Sequence, residues 1–180
     1  MHATPPSLVL GPEQASLTVL TGRTGPAAAM GHDLEISVER WRAEIGTGAD
    51  GALTALALEA DADSLRVISG SGGAKPLSAG DKAKIEATVR TKILRGTAIR
   101  FRATEIAAAG AERLDVTGEL SLGERQGPVT VALCWEASGR FSGAATVHQS
   151  AFGIEPYSAL LGALRLRDEV TVRVEGRLGR

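Results

Sequence analysis

The stretch Thr97–His148, TAIRFRATEIAAAGAERLDVTGELSLGERQGPVTVALCWEASGRFSGAATVH, decides the fold class. Its apolar residues alternate: Ile99, Phe101 and Ala103, then Leu114, Val116 and Leu120, then Val129, Val131, Leu133 and Trp135, with Arg, Glu, Asp or Thr between them. Such period-two alternation gives a strand one dry face and one wet face. Charged residues on the wet faces argue against a doubly wound parallel sheet, whose central strands are apolar on both sides. The connections AAAGAE and GERQGP, and the reversal Ser138–Gly139–Arg140 into Phe141–His148, are too short for the crossover that parallel strands require. The strands therefore pair antiparallel.

The same pattern extends outward from this stretch. Upstream, Pro5, Pro6 and Pro12 make residues 1–13 an irregular lead-in, and Leu17–Thr21 reads as a first short strand. Gly22–Gly31 reads as a loop or single helical turn. Leu34, Ile36 and Val38 alternate in one parity and Trp41, Ala43 and Ile45 in the other, which is what a bulge inside one strand produces. Asp50-Gly51 is a turn signal ahead of a partner strand, Leu53–Asp61, with Leu56, Leu58 and Ala60 on one side. Leu65–Ser69 is another short strand, ended by the glycines of 70–73. Ser78–Lys92 is the one substantial helix: Ser78 and Asp81 stand at capping-box positions, and Ile85, Val89 and Ile93 form a stripe. Downstream, Gln149–Arg167 leaves the strand pattern, with a short helical segment expected at Ser158–Leu164, and Glu169–Arg177 is the last strand. The expected fold is all-β, an antiparallel barrel or sandwich of about eight strands, in a single domain over residues 14–180.

Apolar residues make up 43% of the chain but aromatics only 3%, so Leu, Val, Ile and Ala must fill the interior. Small side chains leave a wide space partly empty. Ala55, Ala57, Ala103, Gly118, Gly143 and Ala145 are the residues expected to leave a lumen open. A formal charge of −1 gives no long-range field to gather nucleic acid or to hold an anionic membrane, and leaves room only for a local patch. Arg100 and Arg102, close in sequence to Lys92 and Arg95, form a modest basic cluster without the interleaved aromatics of a single-strand platform. No nucleic-acid partner is expected. Cys134 is the sole cysteine, expected to pack mid-strand as a small hydrophobe and compatible with a reducing compartment. No stretch reaches the roughly 18 apolar residues of a spanning helix. No Lys or Arg precedes the short apolar run near the N-terminus, so a cytoplasmic location is expected.

Catalytic and metal chemistry find little support. His32-Asp33 lacks the further ligands of a metal centre, which normally asks for three or four converging groups, and His32 reads as a loop-orienting residue. His148 ends a strand and reads as a structural or rim residue. GSGGAK at 70–75 lacks the spacing of a phosphate-binding loop. Ser142, Ser150 and Ser158 lack a nucleophile-elbow context. The chain is expected to be no enzyme and to hold no metal.

His148-Gln149-Ser150-Ala151-Phe152-Gly153-Ile154-Glu155-Pro156-Tyr157, Gly31-His32-Asp33-Leu34, and the helix followed by Ile99-Arg100-Phe101-Arg102-Ala103-Thr104 together resemble the YceI-like family across about Ser16 to Gly176. The resemblance implies a lipocalin-like barrel enclosing an apolar tunnel for an isoprenoid lipid or isoprenoid quinone, held as carrier or store, with no other cofactor. Many relatives carry a basic residue where His148 stands, which makes His148, with His32, a polar rim candidate. Candidate lining residues are Ile36, Leu56, Phe101, Val116, Val131, Leu133, Trp135, Val147 and Val172, with Phe152 and Leu161 near one end. The alternative is a non-catalytic structural or protein-interaction barrel with a filled core, for which a homodimer is the expected partner state.

Overall fold

A computed structural model of the chain describes residues 7–178. The alternating runs form β1 (Ser7–Leu10), β2 (Ala15–Leu20), β3 (Arg23–Thr24), β4 (Asp33–Val38), β5 (Trp41–Thr47), β6 (Leu53–Asp61) and β7 (Leu65–Ser71). After the helix α1 (Ala79–Thr88) come β8 (Ala98–Gly110), β9 (Arg113–Leu122), β10 (Arg125–Trp135), β11 (Arg140–His148), β12 (Ser158–Ala159), β13 (Leu164–Leu166) and β14 (Glu169–Arg177). Eleven of these make one sheet in the order β1-β5-β6-β8-β9-β10-β11-β14-β2-β4-β7, and β12, β13 and β3 make a second, small one. Every pairing is antiparallel.

The sheet order shows how the tube is made. β1 and β2, β4 and β5, and β6 and β7 are consecutive in the chain, yet the members of each pair lie in opposite halves of the sheet. Three short bends, at residues 11–14, 39–40 and 62–64, therefore carry the backbone from one margin to the other. The margins meet through side chains: Leu10, Ala15, Leu17, Val38, Trp41 and Ala43, from β1, β2, β4 and β5, form one buried cluster. Among the described residues no ladder joins the edge strands β1 and β7, so the result is a curled half-barrel rather than a barrel closed by hydrogen bonds.

Polar groups in the bends are satisfied locally. The fully buried Ser64 accepts at its hydroxyl from the Arg40 N–H at 3.0 Å and donates to the Asp61 carbonyl at 2.7 Å. The Glu39 N–H donates to the Ser64 carbonyl at 3.2 Å, and the Asp61 N–H to the Arg40 carbonyl at 2.9 Å. Two bends are thus stitched to each other around one serine.

α1 starts where its capping box places it, with the Asp81 N–H donating to Ser78 Oγ at 3.1 Å and the Ser78 N–H to Asp81 Oδ2 at 3.0 Å. It continues into wider π-helical turns over Val89–Leu94 and stops at Arg95, in the left-handed conformation. The helix also covers the β7 edge. Glu86 Oε1 accepts from the Val67 N–H at 2.8 Å and Lys82 Nζ donates to the Ile68 carbonyl at 2.6 Å, so edge groups that would recruit another strand are bound by side chains.

Four expectations need correction. The main sheet has eleven strands, not about eight, because the bends split runs such as Leu34–Ile45 that read as single bulged strands. Within the expected lead-in, Ser7–Leu10 pairs with β5, and the remainder, Met1–Pro6, lies outside the described residues. Ser158–Leu164 is no helix: β12 and β13 form a hairpin there, joined by a tight turn at Leu160–Gly162, because β13 finds a partner in β3. Cys134 is exposed rather than buried, since it sits next to the end of β10.

Candidate functional site

Curling turns the dry faces toward a hollow of about 1320 Å³. It exceeds the roughly 300–1,000 Å³ of pockets that hold drug-sized ligands. Leu56, Leu58, Leu114, Leu120, Val131 and Val172 all line it and are only half-buried, because their free sides border open space instead of neighbours. The helix stripe Ile85, Val89 and Ile93 closes one flank of the hollow.

Of the residues expected to line the lumen, Ile36, Leu56, Phe101, Val131, Leu133, Trp135, Val147 and Val172 border it. Three do not. Val116 points inward but is covered completely by its neighbours. Phe152 is buried beneath the end of β10, its ring 3.4 Å from where a side chain on Gly127 would begin. Leu161 projects fully into solvent from the β12–β13 turn. Of the small residues, Gly143 and Ala145 face the hollow, whereas Ala55 and Ala57 have the parity opposite to the lining Leu56 and Leu58. Gly118 serves another purpose: a Cβ there would lie 2.5 Å from the Phe101 ring, so the missing side chain seats the aromatic. In β8 the register slips between Ala103 and Glu105, which moves the lining positions from Ile99 and Phe101 to Ile106 and Ala108.

The two ends of the hollow differ in chemistry. One is bordered by the β5–β6 and β8–β9 turns, with Gly51, Ala52, Gly110 and Ala111. The other, the rim, is built from the small β3-β13-β12 sheet and the turn Ala28–Met30, and carries Arg23, Met30, His32, Tyr157, Leu164 and Arg165. Arg23, Arg165 and Lys84 are the charged residues lining the hollow, and no Asp or Glu among the described residues lines it.

Arg23 is locked in place: Nη1 donates to the carbonyls of Gly31 and, at 3.3 Å, Ser71, while Nε lies 3.9 Å from Asp33 Oδ1. Its guanidinium occupies the space where a side chain on Gly72 would stand, and Gly72 has φ +78°, so glycine is required there twice over. His32 borders the hollow and sits 2.8 Å, through Nε2, from the Lys75 carbonyl, tying the 72–77 loop to the rim.

His148 faces away from the hollow, with Nδ1 3.6 Å from Asp168 Oδ2 and Nε2 3.9 Å from Glu169 Oε1. Asp168 in turn accepts from the Ser150 hydroxyl at 2.6 Å and the Ser150 N–H at 2.7 Å. These bonds, more than the nearby His148, hold its carboxyl below the ordinary value of 3.8. Among the described residues no three His, Cys, Asp or Glu side chains gather as metal ligands do. Also among them, no helix is long and apolar enough to cross a membrane.

Arg23, Met30, Tyr157 and Arg165 escaped the sequence reading because they come from the irregular segments 22–31 and 149–167, which have no period to follow. The one signal there was composition, a cluster of Tyr, Leu and Arg within a short connection.

Comparison with known proteins agrees with this architecture. No curated protein matches the chain. The crystal structure of Burkholderia cenocepacia BcnA superposes with a TM-score of 0.64 at 17% identity, over 89% of this chain and 94% of that one. The Campylobacter jejuni YCEI protein gives 0.57 at 11% identity, over 81% and 85%. A mutant of that protein, solved with a monobromobimane guest, gives the same values. At these identities the likeness speaks for the fold. A family model, the YceI-like domain, matches residues 27–178, and the chain belongs to that family.

Proposed function

We propose that the protein binds one long apolar ligand, an isoprenoid lipid or isoprenoid quinone, in the hollow of its half-barrel and acts as its carrier or store. The observation that carries this reading is the hollow itself: about 1320 Å³, bordered by aliphatic side chains along the strands, with charge confined to the rim and the helix flank. A long chain suits such a space because its length follows the strands. The longest strand, β8, has 13 residues and at roughly 3.3 Å per residue spans about 40 Å. A ligand of about 30 carbon atoms, at an efficiency of roughly 0.3 kcal/mol per atom, would gain about 9 kcal/mol, which corresponds to sub-micromolar affinity. Membership of the YceI-like family, known for polyisoprenoid-binding, lipocalin-like proteins, supports the same ligand class. A hollow of this size supports this reading over that of a filled core.

The reading requires no catalytic group, because transfer of an apolar molecule between sites is a binding process. Native mass spectrometry after gentle purification, followed by solvent extraction of the bound material, tests it. A long-chain lipid at near one per protein is expected. Repeated recovery of empty protein from preparations exposed to isoprenoid lipid would overturn it.

A further inference from the structure

The β12–β13 turn is built against its own backbone preference. Leu160 (φ +52°), Leu161 (φ +54°) and Gly162 (φ +86°) are consecutive residues in the left-handed region. Such a turn ordinarily takes Gly, which has no Cβ to crowd the carbonyl oxygen, or Asn or Asp, whose short polar side chains hydrogen-bond locally. Of the three non-glycine residues with positive φ among those described, two are these leucines. Packing does not repay the strain: Leu161 is fully exposed and Leu160 is 56% exposed. Met30 (59%) and Tyr157 (49%) lie on the same rim, held to it by the bonds from the Ala27 N–H to the Ala163 carbonyl and from the Leu166 N–H to the Tyr157 carbonyl, both 2.9 Å. Met30 and Tyr157 also border the hollow, so the exposed apolar patch is continuous with its mouth. Basic side chains accompany it. Arg23 and Arg165 line the same mouth; Arg23 is matched by Asp33 and Asp168 is engaged by Ser150, which leaves the exposed Arg165 and Arg167 as the cations of the 152–168 connection, with Glu155 beside them in sequence.

We infer that this rim is a docking surface for an anionic lipid bilayer, with Leu160 and Leu161 as the inserting tip and the exposed Arg165 and Arg167 facing the headgroups. The inference rests on the lumen reading for its purpose, which is to let an apolar ligand pass between bilayer and hollow without crossing water. Docking itself is measurable without cargo. A net charge of −1 leaves attraction to this local set of cations, effective within about 10 Å at ordinary salt, so binding is expected to weaken as salt rises. Each rim cation contributes about fivefold in partitioning at an anionic surface.

Co-sedimentation with vesicles of phosphatidylcholine alone, and of equal parts phosphatidylcholine and phosphatidylglycerol, tests the inference on the full chain. The wild-type protein is expected to pellet with the mixed vesicles. The double variant Leu160→Asn, Leu161→Asn is expected to lose about tenfold or more of that binding. Asn tolerates the left-handed turn, so the variant keeps its fold, its thermal midpoint and its uptake of an apolar probe in vesicle-free solution. Arg165→Ala is expected to lose about fivefold on the mixed vesicles only. The inference is overturned if wild type stays in the supernatant with both vesicle types, or if the double variant pellets as wild type does. It is equally overturned if the double variant abolishes a dimer seen by light scattering while no vesicle binding occurs, because the patch is then a contact between copies. Vesicle binding by a protein that takes up no probe would retain docking and remove the lumen reading, so the two claims fail separately.

Discussion

Ser64 shows how much of this fold depends on one small polar side chain. It joins the 39–40 and 62–64 bends from a position with no solvent access, accepting from the Arg40 N–H in one bend and donating to the Asp61 carbonyl at the end of β6. Ser64→Ala leaves the Arg40 N–H unpaired and is expected to cost about 1–3 kcal/mol, read as a lower denaturation midpoint with unchanged slope. A shift within error would show that the bends hold without it. Asp168 makes a pH-dependent contribution at the rim. Its folded carboxyl is more acidic than in the unfolded chain, so the unfolded state binds the proton first as pH falls. The contribution is complete above the ordinary value of 3.8 and disappears as pH drops through the lower folded value. Ser150→Ala removes the main cause and is expected to return the Asp168 titration, followed by NMR, toward that ordinary value. An unmoved midpoint would show that another group holds it down.

At the level of elements, local chemistry was legible where a residue signals within a turn of itself. Ser78 and Asp81 marked the helix start, Asp50-Gly51 marked the β5–β6 turn, where Gly51 has φ +80°, and alternation marked β8 to β11. The bends were not legible. A parity change at Val38–Trp41 looks the same in sequence whether the strand bulges or leaves one margin of the sheet for the other, and only long-range pairing decides. The turn at Leu160–Gly162 was hidden for a related reason: Ala-Leu-Leu-Gly-Ala-Leu has helical composition, and its partner β3 lies far away in the chain. Edge protection is likewise a tertiary property, since nothing local announces that Lys82 and Glu86 straddle β7. Lys82→Ala with Glu86→Ala uncovers that edge, and concentration-dependent self-association, measured by light scattering, is the expected outcome. A variant that stays monomeric at all concentrations would assign the protection to the bulk of the helix.

For the molecule as a whole, low aromatic content and a tube of this circumference lead to the same result, a dry interior too wide for its side chains. Eight of the eleven expected lining residues border the hollow, and the exceptions have distinct causes: Val116 faces inward but is overlaid by neighbours, Phe152 lies under a strand end, and Leu161 sits in a turn that reads as helix. Because the interior is open, filling it should be tolerated. Leu58→Phe with Leu120→Phe is expected to change stability by less than about 1.5 kcal/mol, in contrast to overpacking of a close-packed core. Trp41 and Trp135 both line the hollow and report on its contents. The most direct test of the lumen claim is therefore a titration of delipidated protein with a long-chain isoprenoid quinone, followed by tryptophan fluorescence. Saturable quenching with sub-micromolar Kd, weakened about tenfold or more by the Leu58→Phe, Leu120→Phe pair, is the predicted result. Absence of saturable quenching, or quenching indifferent to the two phenylalanines, would contradict it.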